Sequence, residues 1–137
     1  MRRAPAASVA AAGLAAGVTT AFALPPWGLW ILAPVGLAVL YRVLEDKAAP
    51  ARALAGLTFG IGLLAIGLYF TTAFNAWGWA VLVLFESLFL AVACALVPPA
   101  RGRFLAFPAV LVFAEVIRGS WPFGGIPMGG VPLSQVS

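Results

Sequence analysis

Five long apolar runs divide the chain, separated by short turns rich in Pro, Gly, Asn or charge. A helix that crosses a bilayer needs about 20 apolar residues, within a range of roughly 17 to 25. On that scale the runs predict helices over residues 6–24, 28–44, 53–73, 77–97 and 104–118. Pro25 and Pro26 close the first, because neither can donate a backbone N–H. Pro34 is expected to kink the second, and Pro98-Pro99 ends the fourth. The fifth run is short, so it extends, tilts or lies half buried in protein. The pattern carries no signal of a strand, and the expected architecture is an all-α integral membrane helical bundle of about five transmembrane helices.

Composition agrees with the pattern. Apolar residues make up 64% of the chain and charged residues 9%, with a mean hydropathy of +1.08. Soluble domains carry about 25% charged residues, so this surface cannot be kept wet. The formal net charge of +4 would suit nucleic acid in a soluble protein. Here the cations cap the ends of apolar runs and form no basic face, which argues against nucleic-acid binding. The first run continues past any Ala-x-Ala-like site into Pro25-Pro26-Trp27 and reads as an uncleaved helix, not a signal peptide.

Where the charges fall orients the bundle. With the N-terminus in the cytoplasm, Arg2 and Arg3, the turn bearing Arg42, Lys47 and Arg52, and the turn bearing Arg101 and Arg103 all lie inside. The opposite turns, Pro25-Pro26-Trp27 and Phe74-Asn75-Ala76, carry no charge, and Arg118 alone falls outside. This is the positive-inside distribution. Trp27, Trp30, Trp77 and Trp79 then sit near the outer interface, as an aromatic belt does. An odd number of spans divides the chain into a bundle, 1–118, and an outer-side Gly/Pro/Trp-rich loop, 119–137.

Few residues here carry chemistry. There is no His and one Cys, which excludes a His-based triad, a zinc site and an internal disulfide within these residues. Cys94 lies in an apolar run and reads as a small packed hydrophobe, because a reactive thiol needs an electropositive setting. No glycine spacing forms a phosphate loop, and no metal or other cofactor is expected. Gly56 and Gly60 make a G-x-x-x-G that lets two helices approach closely. Glu86 falls mid-helix, where an ionisable group is a functional candidate; the alternative is a neutral Glu hydrogen-bonded to a neighbouring helix. Glu115 and Arg118, three residues apart, share a helix face. They form a local ion pair, or Arg118 holds a lipid phosphate, or both. Trp121, Phe123, Pro127 and Met128 make an amphipathic turn beside the bilayer that either anchors at the interface or lines a path for acyl chains. Tyr69 and Phe70 carry the same two readings.

Taken in order, these pieces resemble the membrane part of the bacterial apolipoprotein N-acyltransferase family. Pro26 with Trp30 resembles its turn after the first helix. Gly56, Gly60, Gly62, Gly67, Tyr69 and Phe70 resemble its glycine-rich helix ending in aromatics. Glu115-x2-Arg118-Gly119 resembles its helix exit, Gly125-Ile126-Pro127-Met128 its Gly-Phe-Pro-Trp turn, and Ser134-Gln135 its Tyr-Ser-Gln segment. Met128 and Leu133 depart from the family's Trp and Tyr, removing two aromatics from the loop near the lipid entrance. The resemblance implies a multi-pass protein of the bacterial inner membrane. It implies transfer of an acyl chain from a phospholipid donor to the N-terminal amine of a diacylglyceryl-lipoprotein acceptor. The family performs this with an external nitrilase-like domain bearing a Glu-Lys-Cys triad, none of which lies in this chain. Arg118, Glu115, Trp121, Pro127, Met128 and Tyr69 become the candidate lipid-binding residues. Two other readings stay open: a non-catalytic anchor for a polyprenyl-phosphate mannose synthase, and a small transporter or scaffold complete at Ser137 with Glu86 as coupling group.

Overall fold

A computed structural model describes residues 4–121. These residues form five α-helices and no strand: α1 (Ala6–Ala21), α2 (Leu32–Val43), α3 (Ala49–Gly67), α4 (Ala76–Leu96) and α5 (Arg103–Ser120), with a 3-10 turn at Tyr69–Ala73. The all-helical expectation holds. At 19 and 21 residues, α3 and α4 are long and apolar enough to cross a membrane, whereas α1 and α2 are apolar but shorter.

Several boundaries differ from the sequence expectation. The second helix starts at Leu32, not near residue 28, because Gly28 takes a left-handed conformation and Leu29 and Trp30 are absorbed in a turn. Pro34 therefore sits in the first turn, where its missing N–H has no helical partner to lose, and it does not kink α2. The third helix begins earlier, with Pro50 in its first turn, and stops at Gly67, leaving Tyr69 and Phe70 on the 3-10 turn. Asn75 caps α4 by accepting from the amides of Trp77 and Gly78 at 2.9 and 3.2 Å. The fifth helix runs a full 18 residues despite Pro108 within it.

Packing is built on close backbone contact. A Cβ on Gly17 of α1 would collide with the Phe59 carbonyl of α3, and one on Gly62 of α3 would lie 2.6 Å from the Leu14 carbonyl of α1. On its other side, α3 meets α4: a Cβ on Gly60 would stand 2.8 Å from Ser87 Cβ, and one on Gly56 would strike the Leu90 carbonyl. The G-x-x-x-G of α3 thus serves α4, while a second pair, Gly13 and Gly17, serves α3 from α1. Gly36 seats α2 on α1 against Thr20 and Ala16. The contact registers make α1 parallel to α3, and α4 antiparallel to α3, around a core of Phe59, Leu63, Leu64, Leu68 and Leu90.

At one end the α2–α3 and α4–α5 loops meet. The Asp46 amide donates to the Pro99 carbonyl at 3.4 Å, and Arg52 donates to the carbonyls of Lys47 and Ala95. Arg103 pairs with Glu45 at 3.2 Å and lies over the Tyr41 ring, 4.2 Å from its centroid. The cations expected on one side in the α2–α3 and α4–α5 turns are therefore together in space, while Arg2 and Arg3 lie outside the described residues. Trp27, Trp30 and Trp77 are exposed at the opposite end, where Trp79 Nε1 donates to the Ala65 carbonyl at 3.2 Å.

Candidate functional site

The polar centre of the bundle lies between α4 and α5. Both helices are apolar, so any charge between them must find its counter-charge within the protein. Glu86 of α4 and Arg118 of α5 are each 1% exposed, and Arg118 Nε donates to Glu86 Oε2 at 2.7 Å. Arg118 Nη1 donates to Glu115 Oε1 at 2.8 Å, one turn back on the same helix. One guanidinium thus joins two carboxylates, and it ties the last turn of α5 to the middle of α4. The second oxygen of Glu86, Oε1, is buried with no hydrogen-bond partner.

The hydrogen bond to a neighbouring helix expected of Glu86 is present, and its donor is the Arg118 guanidinium at salt-bridge distance. The Glu115–Arg118 pair forms as the spacing predicts. The link from Arg118 to Glu86, 32 residues apart, was not read from the sequence. The available signal was that a Glu within a run as apolar as α4 requires a cation from another helix.

Beside this cluster runs an apolar groove of about 370 Å³. Phe85, Phe89 and Val92 of α4 face Val110, Phe113 and Ile117 of α5 across it, with Trp121 at one end. The Trp121 ring stands 6.2 and 6.3 Å from those of Phe85 and Phe89. The groove arises because α5 meets α4 through bulky side chains, without the glycines that draw α3 and α4 together. It can accept a hydrocarbon chain and offers nothing to bind a metal.

Of the residues singled out from sequence, Glu115, Arg118 and Trp121 lie together at the C-terminal end of α5. Tyr69 stands apart on the 3-10 turn, 67% exposed, with no side-chain bond to them. Pro127 and Met128 lie outside the described residues. Cys94 is buried against Gly56, as a packing residue is.

Residues 16–137 match the family model described as the apolipoprotein N-acyltransferase N-terminal domain. The chain belongs to that family. It is 34% identical to an apolipoprotein N-acyltransferase of Methylococcus capsulatus over 89% of its length, and 32% identical to one of Pseudomonas putida over 90%. It spans only 27% and 28% of the length of those two relatives. The match takes in α2 to α5 whole and the last six residues of α1, and so includes both partners of the Glu86–Arg118 pair. Neither relative lends support to the mannose-synthase anchor.

Proposed function

We propose that the chain is the membrane-embedded portion of a bacterial inner-membrane apolipoprotein N-acyltransferase. In this reading all five helices cross the bilayer, the N-terminus is cytoplasmic, and residues 119–137 lead on the outer side to a nitrilase-like catalytic domain. The whole protein moves an acyl chain from a phospholipid to the N-terminal amine of a diacylglyceryl-lipoprotein, by way of an enzyme thioester that divides one difficult step into two easier ones. The bundle contributes no reacting group; it holds the catalytic domain at the membrane surface and admits lipid sideways. The observation that carries this reading is the family match across residues 16–137.

The α4–α5 groove is the point of lipid admission in this account. Its lining is hydrocarbon and its end is marked by Trp121, from which the chain continues to Pro127 and Met128. Tyr69 borders the outer surface separately. Two carboxylates already engage Arg118, which supports a positioning role: it fixes the end of α5 against α4 and so aims the segment that follows. A phosphate approaching Arg118 would also meet the charge of Glu86 and Glu115. Arg118→Lys in the full-length protein separates the roles. A positioning role predicts lost thermal stability with KM for phospholipid unchanged, whereas phosphate binding predicts a raised KM with stability intact.

Acyl transfer to a diacylglyceryl peptide tests the whole reading. Residues 1–137 alone should give no turnover. The same residues joined to the part of the Methylococcus capsulatus relative beyond the aligned region should give transfer. Turnover by the 137 residues alone, or a folded chimera without activity, would overturn it.

A further inference from the structure

The basic end of the bundle, opposite the Trp121 end of the groove, carries an arrangement that the proposed acyl transfer does not use. The last turn of α2, the loops meeting there and the first turns of α3 and α5 hold five cations, Arg42, Lys47, Arg52, Arg101 and Arg103, against two anions, Glu45 and Asp46. A helix N-terminus is the positive end of its dipole and favours negative charge. Neither α3 nor α5 has a side-chain cap or an acidic residue in its first turn, and each has a buried Arg there instead. Arg103 opens α5 at 7% exposed, and its Nε and Nη1 have no hydrogen-bond partner. Arg52 is 8% exposed with Nε also unpartnered. Glu45 engages Arg103 through Nη2, and Tyr41 contributes its ring face and a hydrogen bond, which still leaves Nε and Nη1 without acceptors.

Buried N–H groups without acceptors are costly, and costlier on a charged group. Here they occur on a guanidinium at the positive end of a helix, within an excess of cations. The missing partner is an anion with several acceptor oxygens, and a guanidinium fork suits phosphate. On the proposed membrane reading, the apolar surface beside the site, with Leu105 73% exposed in the same first turn of α5, faces lipid. Basic sites between helices at a membrane face take the headgroups of anionic lipids.

We propose that the junction of the α2–α3 and α4–α5 loops binds the phosphate of an anionic phospholipid at the N-terminus of α5, with Arg103 as its principal ligand and Arg52, Arg101 and Lys47 around it. Such a lipid is a resident of the fold and not the acyl donor, because it sits at the far end from Trp121.

The full chain in detergent micelles is titrated with phosphatidylglycerol, phosphatidylcholine or inorganic phosphate, reading retained lipid by native mass spectrometry and the unfolding temperature. Phosphatidylglycerol should be retained roughly tenfold over phosphatidylcholine and raise the unfolding temperature. Arg103→Gln should abolish that preference. Should Arg103→Gln not fold, Arg103→Lys keeps the charge without the fork and should lower the preference severalfold, as should Arg101→Gln at the exposed rim. Equal retention of the two lipids, or an undiminished preference in the folded Arg103 variants, would overturn the proposal. Inorganic phosphate that stabilises as well as phosphatidylglycerol would overturn its assignment to a lipid.

Discussion

The α1–α3–α4 assembly and the α4–α5 interface solve the same packing problem in opposite ways. In the first, glycines bring backbones together, so that a single Cβ at Gly17 or Gly60 would collide with the facing helix. In the second, bulky side chains hold the helices apart, a groove of about 370 Å³ remains, and a buried Glu86–Arg118 pair supplies the link. Apolar side chains gain little from each other when lipid is an equal alternative, so helices in a membrane associate through close packing or through polar bonds. The glycine interface distributes its stability over many small contacts. The α4–α5 interface concentrates it in a few charged atoms beside an apolar space. That difference suits a rigid platform on one side and an accessible lipid path on the other.

Breaking the charged link should have the largest effect. Arg118→Met leaves the buried Glu86 and the partly buried Glu115 without their cation and should destabilise by about 3–5 kcal/mol. The double variant Glu86→Met with Arg118→Met, which removes the strongest pair together, should cost less than Arg118→Met alone. Thermal unfolding of the two singles and the double reads that coupling directly. A double variant as unstable as the sum of the singles would mean the pair does not hold α5.

Gly17→Ala attacks the other interface. Its methyl group meets the Phe59 backbone, which cannot rotate away, so the expected loss is about 1–3 kcal/mol in the same unfolding experiment. Trp121→Ala should cost roughly 1 kcal/mol through the lost contacts with Phe85 and Phe89, and should lower phospholipid use more than stability. Gly119→Ala is the control: among the described residues nothing lies within 4 Å of the added Cβ, and helix propensity should make it neutral or stabilising by up to about 1 kcal/mol. Equal losses at Gly17 and Gly119 would remove the distinction between the regions.

These two regions were unequally legible in the sequence. Apolar runs long enough to see over any background gave all five helices, and the segregated cations foretold that the α2–α3 and α4–α5 loops share one end. The Gly56–Gly60 pair announced a close helix contact, because small residues one turn apart have few other uses in an apolar helix. Its partner was not readable, nor was the matching role of Gly13 and Gly17, hidden in an Ala-rich run where Gly attracts no notice. The start of α2 was misplaced because Trp27 to Trp30 are as apolar as a helix while the left-handed Gly28 turns the chain. At the site, Glu115 and Arg118 are local in sequence and so were paired at once. Glu86 was conspicuous as a charge in an apolar run, but its partner depends on the register of α4 against α5, which side-chain packing decides. The groove left no trace in the sequence, since it is a gap between helices.

The central claim is that α5 crosses the bilayer and delivers the chain to the outer side. It is the helix with most charge, carrying Arg103, Glu115 and Arg118. Single cysteines at Ala100 and Ser120, in a Cys94→Ala background, can be labelled with a membrane-impermeant maleimide in right-side-out and inverted vesicles. The account predicts that Ala100→Cys labels only from the cytoplasmic face and Ser120→Cys only from the outer face. Labelling of both from one face would contradict it.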